Sequence, residues 1–191
     1  MPASPQAEAP AAPRGPARPE RFSPRARALH WVIAGLVVAL LASGFAAGAT
    51  APEGKAFWLR LHLPLGVLAM LLALWRLQVA LSEAIARRRP VPAVDGAQAR
   101  LARAVHGLLF LLPIALGVSG IALSAWSGAP AAVFGQAPMP EFWDYPPRWA
   151  HGAFAWGIAL LAGLHVAAAL YHQFVRRDGL IGRMLPGPED R

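Results

Sequence analysis

Long apolar runs separated by short polar, Arg- or Pro-bearing segments set the organisation of this chain. Leu29 to Thr50 contains no charged residue, and a second run extends from about Trp58 to Leu81, interrupted at Arg76 near its far end. A third covers about Ala104 to Trp126 and a fourth about Trp149 to Val175. Each is long enough, at about 1.5 Å per helical residue, to cross most of a hydrocarbon core about 30 Å thick. Four membrane-spanning helices are predicted. Ser23-Pro24 supplies an N-cap and a proline at the first helical position of the first span, and Pro113 predicts a kink in the third that its neighbours repair. The connections are "APEGKAF", the Arg-rich "SEAIARRRPVPAVDGAQARLAR" and a loop rich in Pro and aromatic residues. No repeat with a period of about 20 to 50 residues interrupts this plan. Residues 1–20, rich in Ala and Pro and without apolar periodicity, are expected to be a disordered tail, 21–186 the four-helix domain, and 187–191 a C-terminal tail. A cleaved signal peptide is the rival reading of the first run. The long basic region before it and the His-Trp pair that opens it argue against that.

Composition fits a membrane protein and removes several alternatives. The chain is 56% hydrophobic and only 15% charged, too apolar for an ordinary soluble domain of its length. Its net charge of +8 would suggest nucleic acid, but 17 of the 18 basic residues are Arg clustered between apolar blocks. Such clusters orient membrane helices rather than grip phosphates. Five basic residues precede the first span, five lie in the second connection and four in the C-terminal segment, against two and one in the first and third connections. Both termini are therefore expected on the cytoplasmic side. Trp31, Trp58, Trp75, Trp126, Trp143 and Trp149 fall at or beyond the span ends, as an interfacial belt requires, whereas Trp156 sits well inside. The absence of Cys excludes disulfides, iron–sulfur clusters and covalent haem attachment through CxxCH.

The candidate chemistry lies in the histidines. "HGAFAWGIALLAGLHVAAALYH" carries His151, His165 and His172 without one Asp, Glu, Lys or Arg. At 100° per residue the three fall within a roughly 60° arc of one helix face, and His151 and His165 are about 21 Å apart along it. His30 opens the first span at the cytoplasmic side, the side of His165, and His62 opens the second at the external side, the side of His151. Two facing imidazoles at each of two depths suit bis-imidazole ligation of a planar macrocycle inside a four-helix bundle. A lone His at a span end is ordinarily an interfacial side chain. Joint placement in depth-matched pairs favours haem ligation, because ionisable groups inside a span are costly. Gly35, Gly66, Gly152, Gly163 and Ala167 to Ala169 leave room for a porphyrin, or serve close helix packing. His106 and His172 are read as hydrogen-bonding groups at a quinone pocket, with an interfacial or propionate-binding role as the alternative. Arg76, Arg103 and Arg148 stand where propionates or lipid phosphates would pair with them, or simply fix topology. Arg148 lies one turn before His151, with Lys55 and Arg60 on the same side, where a positive field would draw a small anionic donor inward. Glu141 and Asp144 oppose it.

The segments "RALHWVIAGLVVALLASGF", "LHLPLGVLAMLLALWRL", "ARAVHGLLFLLPIALGVSGIALS" and "HGAFAWGIALLAGLHVAAALYHQFVRRDGLIGRML" together resemble the bacterial cytochrome b561 family over about residues 21–186. The last, with its H-x13-H-x6-H spacing, is the most specific. The resemblance implies an all-α membrane protein: a four-transmembrane-helix bundle binding two non-covalent b-type haems in the bacterial inner membrane. It implies His30 and His165 as ligands of the cytoplasmic-side haem and His62 and His151 as ligands of the external one. Members pass electrons between quinone and a periplasmic partner, and one branch resembles a superoxide:ubiquinone oxidoreductase. The Pro/Ala-rich N-terminal tail and the loop "SGAPAAVFGQAPMPEFWDYPPR" depart from any one branch. The expected function is thus transmembrane electron transfer between a periplasmic donor, superoxide among the candidates, and ubiquinone. Arg148 would guard donor access, and His172 and His106 would serve the quinone side. Two alternatives stand beside it: a haem-b anchor subunit docked to a larger respiratory dehydrogenase or hydrogenase, and a haem-free transporter or metal-binding protein using the same His stripe.

Overall fold

The computed structural model describes residues 21–86, 96–135 and 137–187. The expected tail at 1–20, the Arg-rich connection at 87–95 and residues 188–191 lie outside the described residues. Four helices are long and apolar enough to cross a membrane, and the described residues contain no strand. They are α1 (Pro24–Ala49), α2 (Pro52–Ile85), α3 (Gly96–Ser127) and α5 (Pro147–Tyr171), with a short α4 (Ala129–Phe134) between the last two.

Helix ends differ from the apolar runs for local reasons. α2 starts at Pro52 rather than near Trp58, because a proline at the first position forfeits only an N–H that is unpaired anyway, and Glu53 complements the helix dipole. α3 starts at Gly96, well before its apolar run, and Pro64 and Pro113 lie inside continuous helices. The Pro- and aromatic-rich loop holds α4, which the apolar pattern does not announce. Gly128 turns the chain into it at φ 66°, where a side chain would be strained. Val133 of α4 is fully buried, and its carbonyl accepts a hydrogen bond from Arg60 Nε at 2.9 Å.

α1 packs along α2, α3 along α5, and α2 against α3. Most buried residues of the long helices are small, among them Ala47, Ala69, Ala73, Ala80 and Ser43, with Leu29, Ile33 and Ile158 the large apolar exceptions. Val38, Leu71, Leu160 and Ile85 face outward. This reverses the pattern of a water-soluble bundle and suits lipid, where association depends on close backbone approach rather than burial of large apolar groups. One end of the bundle brings the first described residues and the start of α1 against the turn after α5 and is tied together there. Ser23 caps α1 through Ala26 N at 3.2 Å and donates its hydroxyl to Glu83 of α2. A turn at Leu180–Met184 returns to α1, where Arg27 Nη1 donates to Leu185 O and Trp31 Nε1 to Met184 O, both at 2.9 Å. We call this the terminal end, and the opposite one the loop end.

Candidate functional site

At the loop end, His62 in the third turn of α2 and His151 at the start of the second turn of α5 face each other. Their ring centres are 6.1 Å apart and their planes 73° apart. Each ring is held through Nδ1 by a serine from the neighbouring helix: Ser43 of α1 at 3.0 Å from His62, and Ser119 of α3 at 3.0 Å from His151. The serine hydroxyls donate to carbonyls three residues back, Leu40 O at 3.2 Å and Leu116 O at 3.1 Å. A hydroxyl whose hydrogen is so committed accepts from the ring, so Nδ1 carries the proton and Nε2 keeps its lone pair. His151 makes this unavoidable, because its Nδ1 also meets Leu116 O at 3.1 Å and a carbonyl only accepts. Glycine makes room for both rings. A Cβ on Gly44 would stand 3.0 Å from His62 Cε1, and one on Gly120 would stand 3.2 Å from His151 Cε1.

Toward the terminal end, His30 of α1 and His165 of α5 have ring centres 6.3 Å apart with planes at 75°. His106 of α3 approaches His165 more closely, at 5.3 Å. A metal–imidazole bond is about 2.0–2.1 Å, and with a ring nitrogen about 1.1 Å from the ring centre, two imidazoles trans across one metal have centres about 6.2 Å apart. The His62–His151 and His30–His165 separations match that span, and His106–His165 is about 1 Å too short. These two pairs therefore fit a bis-imidazole macrocycle, the loop-end pair with Nδ1 of each ring engaged and its Nε2 lone pair kept for a metal. Arg76 lies over the Phe110 ring at 5.0 Å, and its Nη1 donates to Ala26 O at 3.4 Å.

A largely apolar cavity of about 940 Å³ opens beside the loop-end pair, lined by His62, His151, Gly44 and Gly120. Lys55, Glu141 and Arg148 also line it, with Trp143 and Trp149. The Arg148 guanidinium lies over the Trp143 ring at 4.2 Å, and Trp143 meets Trp149 at 4.9 Å. Lys55 Nζ is 5.9 Å from the Phe142 ring. Arg60, expected beside these cations, is instead engaged with the Val133 carbonyl of α4. The Glu141 carboxylate accepts from Trp143 N at 3.3 Å, and the charged residues of the lining are Lys55 and Arg148 against Glu141.

His172 and His106 have different surroundings. His106 meets His165, whereas His172 Nδ1 lies 2.5 Å from Asp178 Oδ2 where α5 ends in a wider turn over His172–Arg176. Asp178 Oδ1 also accepts from Leu180 N at 3.2 Å. The hydrogen bond from His172 is the main reason the Asp178 carboxyl is held below its ordinary range. Ser43, Ser119 and Asp178 escape a reading of the sequence. For the serines a signal exists, since both lie in one local string, "ALLASG" and "ALGVSG".

Comparison with known proteins agrees with this architecture. A family model for prokaryotic cytochrome b561 matches residues 21–187. Cytochrome b561 homolog 2 of Escherichia coli (strain K12) is 30% identical over 186 residues, covering 87% of this chain and 92% of its own. Cytochrome b562 of Cereibacter sphaeroides is 29% identical over 163 residues, covering 82% and 90%. A probable superoxide oxidase, CybB, of Yersinia pestis is 28% identical over 167 residues, covering 83% and 92%. Four apolar crossings, paired imidazoles inside the bundle and a match spanning nearly every described residue lead to one assignment: the chain belongs to the prokaryotic cytochrome b561 family of membrane electron-transfer cytochromes.

Proposed function

We propose that the protein binds two non-covalent b-type haems, one between His62 and His151 and one between His30 and His165, and carries electrons across the bacterial inner membrane between a periplasmic donor and ubiquinone. The observation that carries this reading is the pair of separations, 6.1 and 6.3 Å, against the fixed span of two metal–imidazole bonds. Haem b, when bound, supplies one-electron exchange at iron, so the protein's part is ligation, spacing and access. Lys55 and Arg148 in the cavity lining favour an anionic donor, and superoxide is the small anion we propose, giving up one electron to become dioxygen. A relative named as a probable superoxide oxidase supports that choice. On the opposite side quinone needs two protons with its two electrons, and the His172–Asp178 pair is the proposed proton relay, while His106, against His165, is proposed as a hydrogen-bonding group. The excess of Arg at the terminal end supports cytoplasmic termini.

The test is an optical spectrum with haem quantification on purified protein. Wild type should hold two haems per chain, His151→Ala should lose the loop-end haem and keep the other, and His165→Ala should do the reverse. Equal haem content in all three proteins overturns the assignment. For orientation, cysteines introduced at Ala137 and Ala97 should react with an impermeant external thiol reagent only at Ala137, and labelling confined to Ala97 reverses the topology.

A further inference from the structure

The string shared by the two serines belongs to a longer correspondence. One and the same offset separates "ARALH" at 26–30 from "ARAVH" at 102–106 and "ALLASG" at 39–44 from "ALGVSG" at 115–120. It therefore pairs His30 with His106, Leu40 with Leu116, Ser43 with Ser119 and Gly44 with Gly120. In the second helix of each half, aligning His62 with His151 brings "LLA" at 71–73 onto "LLA" at 160–162, and Arg76 onto His165. The α1–α2 and α3–α5 hairpins thus carry corresponding residues in the same order, at an interval much longer than a short repeat. The loop-end pair joins equivalent histidines. The terminal-end pair joins His30 of one copy to His165 of the other, and their counterparts are His106 and Arg76.

Equivalent residues that make equivalent bonds in both copies point to a requirement of the loop-end site rather than to chance packing. Each copy presents the same relay: a leucine carbonyl accepts from a serine hydroxyl, the hydroxyl accepts from histidine Nδ1–H, and a glycine beside the serine lets the ring approach. The ring-to-serine distance is 3.0 Å in both copies. Helical Ser ordinarily spends its hydroxyl on its own backbone, and here it does so at 3.2 and 3.1 Å while still accepting from another helix. We infer that Ser43 and Ser119 are paired positioning residues that hold His62 and His151 as Nδ1–H tautomers, aim their Nε2 atoms at one iron, and lower that haem's reduction potential. The last effect follows because a hydrogen bond accepted from Nδ1–H makes imidazole a stronger donor, which favours ferric over ferrous iron.

This inference rests on the haem reading above, and the experiment separates the two. Ser43→Ala, Ser119→Ala, the double variant and the double Ser→Thr variant are purified with haem and titrated potentiometrically, with haem content and the low-spin ferric EPR signal recorded. In the double Ala variant the ferrous/ferric equilibrium of the loop-end haem should move about tenfold toward ferrous, about 59 mV for one electron. The EPR signal of that haem should shift as its ring planes turn. The terminal-end haem should be unchanged in both readouts, and Thr, which keeps the hydroxyl, should restore wild-type behaviour. Should the Ala variant shed the loop-end haem instead, retention in the Thr variant supports the inference and loss from both overturns it. A two-haem wild type whose loop-end potential is unmoved in the double Ala variant, or whose two potentials move together, overturns the inference and leaves the haem reading intact. A wild type with no haem between His62 and His151 overturns both.

Discussion

Replacing Gly117 with alanine tests how closely α2 and α3 are matched. A Cβ at Gly117 would lie 2.5 Å from Met70 Cβ, 2.5 Å from its Sδ and 2.6 Å from its Cγ. Carbon atoms in favourable contact stand about 3.5–4.0 Å apart, so the shortfall is about 1 Å. A rotamer change moves the Met70 sulfur and Cγ, but Cβ is fixed to the α2 backbone, so the helices themselves must separate. Overpacking of this kind costs about 1–3 kcal/mol, while exchanging glycine for alanine in a helix returns up to about 1 kcal/mol. The net expectation is a loss of about 1–2 kcal/mol. Gly107 is the internal control, because it lies in the same helix and a Cβ there meets nothing within 4 Å. Gly107→Ala should therefore be neutral or slightly stabilising. In detergent, with unfolding followed by haem absorbance or tryptophan fluorescence, about 2–4 °C per kcal/mol is expected for a chain of this size, so the two variants should move Tm in opposite directions or by clearly different amounts. Gly117 also borders the loop-end cavity, and some loss of loop-end haem should accompany its substitution. If Gly117→Ala is as stable as Gly107→Ala, the helix contact described here is wrong.

The remaining predictions address charge, protons and ligand choice. With superoxide generated enzymatically at low salt, Arg148→Glu should slow haem reduction several-fold and the difference should shrink as salt is added; an unchanged rate at low salt removes Arg148 from donor access. Asp178 has a depressed carboxyl pKa in the folded chain, so its contribution to the turn at Leu180 is complete above the ordinary value of about 3.9 and is lost as pH falls through the folded value below it. The protection factor of the Leu180 amide, its exchange rate relative to the base-catalysed intrinsic rate, should accordingly be constant from pH 6 to 8, and Asp178→Ala should lower it at neutral pH; equal protection in both proteins refutes the link. His106→Ala should retain both haems and His30→Ala only the loop-end one, as read by haem content; the reverse result would make His106 the ligand.

The four crossings are legible in the sequence because lipid imposes one requirement over some twenty consecutive residues, and no soluble core imposes it so uniformly. Their ends are less legible. The polar residues of "APEGKAF" look like a loop until Pro52 and Glu53 are read as a helix start, and α4 is held by burial of Ala129, Ala132 and Val133 against other helices rather than by any local period. The serines at the loop-end site are illegible for a related reason. In a membrane helix a serine is first a small residue that permits close packing, and only the histidine of the next helix turns Ser43 or Ser119 into a hydrogen-bond acceptor.

Depth along a helix is what sequence spacing conveys, and depth alone does not choose among His30, His106 and His165. All three stand toward the terminal end, and any two of them satisfy a rule that asks only for facing imidazoles. The proposed ligation chooses by covalent geometry, because two metal–nitrogen bonds and two rings have a nearly fixed length. The 6.3 Å separation accommodates that length, whereas 5.3 Å places the His106 and His165 rings in edge contact with each other. The same measure, applied at the loop end, selects the equivalent residues of the two hairpins at 6.1 Å. Symmetry therefore accounts for one pair and not the other. In the terminal-end half His165 stands where the first hairpin carries Arg76, so the proposed site there draws its two imidazoles from non-equivalent positions and leaves His106 outside it.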